Sequence, residues 1–272
     1  MKPVAFDYAR PDTVDETLAL LAEHGDAARV LAGGQSLVTL LNMRLAQPAL
    51  LIDISRIAAL DYVRTEGAML VVGAATTQAT VEWRASLGRE VPLLAAAFPH
   101  ISHFQIRNRG TVCGSIAHAD PSAELPLVLT ALGGQVALRS QRGRRTLAAE
   151  DFFLGMLTTA REPDELIEEV RFPQRRGGEG YGFAELAQRQ GDFAIVACAA
   201  VANAQEIRLA VGGASDRPRV RRWPRLQGSE LAMALNDFAW QLEAHDDPHA
   251  SALYRRHLVR QLGRSVVEEA CA

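Results

Sequence analysis

Apolar positions along the chain recur at two spacings, and the spacing predicts the element. In residues 14–23, Leu18, Leu21 and Ala22 share one helical face, and Gly25 is a natural stop. Val30-Leu31-Ala32 is a short apolar run, residues 35–43 return to helical spacing, and residues 50–54 read as a strand. The stretch up to about Leu60 therefore predicts helix, strand, helix, strand. Residues 69–74 form a further strand candidate, and helices are expected around 77–87 and 93–98. The Pro121-Ser122 turn leads into a helix at 123–129, and residues 135–140 and 166–172 have strand character.

Residues 173–180 concentrate glycine and charge with little that could pack in a core, which predicts a linker. Beyond it, 183–188, 193–202 and 207–211 read as three strands, followed by helices near 226–243 and 250–269. Strands followed by helices predict a compact α+β unit. The expectation is an α+β protein with domains at 1–174 and 181–272; the pairing order of the strands is not legible.

Length fits this division, because 272 residues exceed the usual single-domain size. With 48% hydrophobic and 22% charged residues and a net charge of −3, the chain has the make-up of an ordinary globular protein. No strongly basic face is implied, so nucleic acid is not expected as a partner. No signal-peptide core and no run of roughly 20 apolar residues is present, so no membrane span is expected and the cytoplasm is the expected compartment. The three cysteines, Cys113, Cys198 and Cys271, are isolated and fewer than the roughly four thiolates of an iron–sulfur cluster. Any such cluster belongs to another chain. Cys198 lies in an apolar run and reads as a small buried hydrophobe. His100 and His103 lack a third ligand at metal spacing, so no metal site is expected.

Two glycine-bearing segments carry the candidate chemistry. In the first, Val30, Leu31 and Ala32 run into Gly33-Gly34, then Gln35, Ser36 and Leu37 open the helical stretch. Strand, glycine turn and helix start would turn amide N–H groups and the positive end of a helix dipole toward an anion such as a pyrophosphate. An ordinary left-handed turn is the alternative. The second segment contains Thr111, Val112, Cys113, Gly114 and Ser115 and offers close backbone approach with two hydroxyls. A side chain at 113 makes Gly114 the expected position of positive φ. Neither G-x-G-x-x-G nor G-x-x-x-x-G-K-[ST] occurs, which excludes a Rossmann fingerprint and a P-loop. Neither segment holds a lysine, so any phosphate is neutralised by amides and dipoles.

The two segments belong to a longer ordered series: Pro3 to Tyr8, Ala32 to Leu37, Ile106 to Thr111, Ala117 to Pro121, Glu150 to Phe153, Pro163 to Ile167 and Arg189 to Ala194. In this series the chain resembles the medium, FAD-binding subunits of molybdenum hydroxylases of the carbon monoxide dehydrogenase and xanthine dehydrogenase type. The resemblance implies a two-lobed FAD-binding domain followed by a smaller α+β C-terminal domain, with FAD between them. It places the pyrophosphate at residues 32–36, closed from the other side by Thr111, Gly114 and Ser115. It places Glu124 near the adenosine end, Ile101 and Ile167 beside adenine or ribose, and Phe193 near the isoalloxazine. Each has a plainer alternative: Glu124 as a helix-start acid, the isoleucines as core, Phe193 as a packed strand residue. Arg107 and Arg109 could meet phosphate or serve as loop or subunit-contact residues.

The resemblance further implies an electron-transfer role, with electrons entering from a small iron–sulfur subunit and leaving to an external acceptor. Substrate chemistry falls to a large molybdenum-cofactor subunit, and the whole is a dimer of heterotrimers. No catalytic residue is expected in this chain, and His118 and Asp120 are read as part of the cofactor loop rather than a dyad. Two departures stand out: Cys113-Gly114 replaces the glycine pair of many relatives, and Ala184 follows Phe183 where xanthine dehydrogenase-like chains have lysine, which weakens any NAD-dependent exit. A free-standing flavoprotein oxidase or reductase and an assembly scaffold without FAD are the rival readings.

Overall fold

A computed structural model describes residues 2–272. The chain opens with β1 (Asp7–Ala9), α1 (Val14–His24), β2 (Ala28–Leu31), α2 (Leu37–Asn42) and β3 (Leu50–Asp53). These strands form a parallel sheet in the order β1-β3-β2. Thr13 caps α1 by accepting from the Glu16 amide at 3.2 Å, and Val14, Leu18 and Leu21 turn inward.

A second lobe follows with β4 (Val63–Glu66), β5 (Met69–Gly73), α3 (Gln78–Glu82), α4 (Leu87–Glu90), α5 (Pro92–Ala97), α6 (Phe104–Arg107), α7 (Val112–His118) and α8 (Glu124–Leu132). It closes with β6 (Gln135–Ser140), β7 (Gly143–Ala148), α9 (Ala149–Phe152), β8 (Phe153–Gly155), β9 (Thr158–Thr159) and β10 (Leu166–Pro173). Its antiparallel sheet runs β4-β5-β10-β6-β7. The helix expected over 77–87 ends at Glu82, and Trp83 stands 77% exposed in the break before α4.

The C-terminal part has β11 (Gly180–Ala187), β12 (Ala194–Ala202), β13 (Glu206–Gly212), β14 (Arg219–Pro224), α10 (Gly228–Gln241) and α11 (Ala252–Cys271). It holds four antiparallel strands in sequential order, where three were expected. β14 escapes the apolar pattern because it is an arginine-rich edge strand. The α+β class holds for the whole chain, and no helix among the described residues is long and apolar enough to cross a membrane.

The faces of this last sheet divide the core. Ala197 and Ala199 belong to one hydrophobic cluster with the second lobe, whereas Val196, Cys198 and Ala200 belong to another with α10 and α11. The period-two alternation of β12 thus feeds two cores at once. Helix α8, buried at every one of its residues, fills the space against the first of these faces. A helix apolar all round is buried all round.

On the opposite face α11 approaches β11 closely: a Cβ at Gly182 would lie 2.3 Å from the Val266 carbonyl oxygen. That neighbour is backbone and cannot swing aside. Gly182→Ala is expected to destabilise the protein by about 3 kcal/mol, read as a lowered urea midpoint; an unchanged midpoint would show that the helix can shift freely.

Candidate cofactor cleft

The first glycine segment joins β2 to α2 across a tight turn. Gly34 takes φ +72°, a conformation costly for other residues, while Gly33 does not. Gly33 is required for a different reason, since a Cβ there would sit 2.1 Å from the Arg109 carbonyl oxygen and 2.7 Å from Gly110 Cα. The segments, more than seventy residues apart in the sequence, therefore touch backbone to backbone. Gln35 folds back, its Nε2 donating to the Gly33 carbonyl at 2.8 Å. Helical bonding begins with the Val38 amide donating to Gly34 at 3.0 Å. The amides of Gly33, Gly34, Gln35, Ser36 and Leu37 find no acceptor among the described residues, in a segment that is half-buried. Val30 and Leu31 are the end of the supporting strand, and Ala32 begins the turn.

The second segment is a helix start, where a loop was expected. Thr111 is the N-cap of α7, its Oγ1 accepting from the Gly114 amide at 2.9 Å. Gly114 has no positive φ; a Cβ there would meet Thr111 Oγ1 at 2.6 Å, so glycine leaves room for the cap. Val112 and Cys113 point into the core, with the Cys113 thiol 3.5 Å from the Val72 carbonyl. Their part in any cradle is therefore backbone only. Gly114 and Ser115 remain half-buried on the outer face. Gln78, from the preceding lobe strand–helix turn, locks the segment: its amide donates to Gly110 at 2.8 Å, and its buried side-chain Oε1 has no partner.

The segment 99–107 meets the tip of the β11–β12 hairpin, and α8 packs against β12. Arg107 is not a free phosphate ligand. It grips Glu82 through two bonds of 2.7 and 2.9 Å and the Ile101 carbonyl at 2.7 Å, holding Ser102 at φ +43°. Arg109 stays exposed. The hairpin tip leans on this segment, with Gln190 Nε2 donating to the Pro99 carbonyl at 3.0 Å and Gly191 packed on His103. Phe193 lies just before β12 and is 62% exposed, so it is not the packed strand residue allowed as its alternative. Ile101 and Ile167 are buried members of the first core cluster. His118 ends α7 and shares no hydrogen bond with Asp120, whose Oδ1 accepts from the Ser122 amide at 2.8 Å.

Glu124 opens α8 and is 5% exposed. Burial, with the nearby carboxylates of Glu185 and Asp120, pushes its carboxyl up to about 8. Glu185, on β11, has its Oε1 3.3 Å from His100 Nδ1, and the His100 ring packs on Phe183 with centroids 5.2 Å apart. Gln78 and Glu185 are the site residues that reading the sequence missed, whereas Arg107 was read as a phosphate or loop residue and proves to be a brace. Glu185 alone carried a signal there, as an acid at a core-facing strand position. Among the described residues no cluster of His, Cys, Asp and Glu could hold a metal ion.

A family model described as the FAD binding domain in molybdopterin dehydrogenase matches residues 4–175. The nicotine 6-hydroxylase medium subunit of Paenarthrobacter nicotinovorans is 40% identical over 286 residues, spanning 100% of this chain and 99% of its own length. The chain belongs to the FAD-binding medium subunits of molybdenum hydroxylases. Solved structures agree with that family. Carbon monoxide dehydrogenase from Hydrogenophaga pseudoflava, lacking the Mo-pyranopterin moiety of its cofactor, matches at TM-score 0.93 and 32% identity, covering 100% of this chain and 99% of the matched one. Quinoline 2-oxidoreductase from Pseudomonas putida 86 matches at 0.91 and 32%, covering 99% and 98%. This medium subunit is thus an oxidoreductase component whose cofactor is FAD.

Two predictions follow from the buried ionisable groups. Burial raises the Cys113 and Cys198 thiols far above the ordinary range, so neither forms thiolate near neutral pH. In the native chain a thiol reagent at about pH 8 should leave both unmodified, and they should react only after unfolding; rapid native labelling of Cys113 would contradict its placement. Glu124, raised from its ordinary 4.5, favours the folded state fully only below that value, and its contribution is lost as pH climbs toward 8. At about 1.4 kcal/mol per pH unit, the loss is of order 4 kcal/mol. Glu124→Gln should flatten the fall in ligand-free stability between about pH 5 and 8 measured by urea titration.

Proposed function

We propose that this medium subunit carries electrons within a molybdenum hydroxylase. A small partner subunit delivers them from its iron–sulfur clusters, and an external acceptor takes them away. A large partner bearing the molybdenum cofactor performs the substrate chemistry. The observation that carries this reading is the row of unpartnered amides at residues 33–37 beside the Arg109-Gly110 backbone that leads into α7, a contact too close for any side chain at Gly33. The residues present fit FAD: neutral donors for a pyrophosphate, a half-buried Ser115, and buried polar atoms on Gln78 and Glu185 that still await partners.

In this reading Val30, Leu31 and Ala32 set the turn, Gly33 to Leu37 hold phosphate oxygens, and Thr111 to Ser115 supply the opposing helix start. Glu124, Ile101 and Ile167 line the adenosine end, and exposed Phe193 stands at the isoalloxazine, screening it from water. When bound, FAD supplies the capacity to accept electrons singly and release them as a pair. The chain's own contribution is to bind, orient and shield. The cysteines support the division of labour, since Cys113 and Cys198 are buried and unpaired with any other thiol. The division at 1–174 and 181–272, a dimer of heterotrimers and a cytoplasmic location belong to the same proposal. Relatives named as medium chains or subunits of nicotine, carbon monoxide and glyceraldehyde-oxidising enzymes support the partnership.

The purified chain should be yellow and should release FAD on acid treatment, while Gly33→Ala should fold and remain colourless. A wild-type chain that is colourless and cannot be reconstituted with FAD would overturn the reading. Affinity capture from the native cell should bring down a cysteine-rich small subunit and a large subunit in equal amounts.

A further inference from the structure

Along β11 the side chains alternate between the two cores. Tyr181 and Phe183 pack against the first cluster, Ala184 and Leu186 against the second. Glu185 follows the parity of Tyr181 and Phe183 and so faces the first core, directly across the ladder from Ala197. An acid at such a position is expensive unless both oxygens are used. Its side chain is 5% exposed. One oxygen has His100 at 3.3 Å, and the other, Oε2, is buried without any partner. His100 is itself held, its ring against Phe183.

This half-satisfied carboxylate does not stand alone. It faces the same core into which α8 packs, and α8 opens with the buried Glu124. Neither lysine nor arginine is bonded to Glu124 or Glu185 among the described residues. Two buried acids on one core, neither bonded to lysine or arginine and one of them presenting an idle oxygen, form a site for a neutral group rich in N–H or O–H donors. A second phosphate or a carboxylate would be repelled from it.

Resting on the proposed FAD reading, we infer that Glu185, oriented by His100, is a second acceptor beside Glu124 for an N–H or O–H donor of the adenosine half of FAD. Glu185 then helps the cleft distinguish the dinucleotide from a flavin that lacks adenosine. His100 is a positioning residue, because without it the Glu185 side chain loses its only polar neighbour at hydrogen-bonding distance.

The test titrates the full-length apoprotein with FAD, ADP and FMN, the last two carrying the two halves of the dinucleotide, for wild type, Glu185→Gln, Glu185→Ala and His100→Phe. Affinity for FAD and ADP should fall about 10-fold or more in Glu185→Ala, with affinity for FMN unchanged. The isosteric Glu185→Gln should show the same pattern to a smaller degree, and it decides the matter if the alanine variant fails to fold. His100→Phe, which keeps a ring against Phe183, should follow the same selective pattern. Unchanged FAD and ADP affinity, or equal losses for all three ligands, would overturn the assignment and reduce Glu185 to a structural role. A wild type that binds FAD tightly while these variants behave normally removes only this inference; a wild type that binds neither FAD nor ADP removes the FAD reading and this inference with it.

Discussion

The burial of α8 is the constraint on which the rest of the structure depends. All of its residues are enclosed, and it is wedged on the inner face of the four-stranded sheet beside α5 and α7. Its polar groups are accounted for within that enclosure: Thr130 Oγ1 donates to the Pro126 carbonyl at 2.8 Å, and Arg208 brings a cation to the Ala131 carbonyl at the helix C-terminus. Because the short turn after α7 feeds straight into α8, a fixed α8 also fixes the helix start at Thr111. The N-terminus of the same helix carries Glu124 into a low-dielectric pocket. Packing thereby sets the position of one cradle half and the protonation of the acid beside it.

The proposed FAD cleft is lined by amides and dipoles rather than by a dedicated cation. Arg107 is committed to Glu82 and to two carbonyls of the segment it braces, and the Arg109 side chain is exposed. In the proposed reading phosphate meets dipoles instead: five consecutive amides after β2 and the opening turn of α7. Dipoles of this kind act only over short distances, so they need accurate placement, and the close approach of Gly33 to Arg109, where a Cβ would lie only 2.1 Å from the carbonyl oxygen, is how the placement is achieved. The strained backbone at Ser102 is tolerated because Arg107 holds both flanking carbonyls.

Much of the fold was legible in the residues. Elements with strong apolar periodicity, such as α1, β3, β12 and α11, lie where the spacing puts them, because their burial is one-sided or complete. The polar edge strands β4, β7 and β14 were not, since a solvated edge has little apolar signal and is held by its neighbour in the ladder. Helix α7 was hidden by Gly114 and Ser115, poor helix formers whose presence reflects the Thr111 cap and the cleft rather than a loop. At the candidate site, the glycine turn was readable, but its partner contact was not. Gly33 and Gly110 meet only after the chain has folded, and one sequence contains no trace of distance between them. Arg107 was ambiguous for the same reason, because its partner Glu82 lies on another helix.

The alternation along β12 has a consequence for how the protein can be divided. Residues 174–179 look like a joint, exposed and rich in glycine and charge. A gene split there would separate α8 from Ala197, Ala199 and Ala210, the small side chains against which it is seated. Each fragment would present a greasy, alanine-flattened wall to water, and the halves would have to find one another before either could be soluble. The two proposed domains therefore share one core across this joint, and a cut there would open that core.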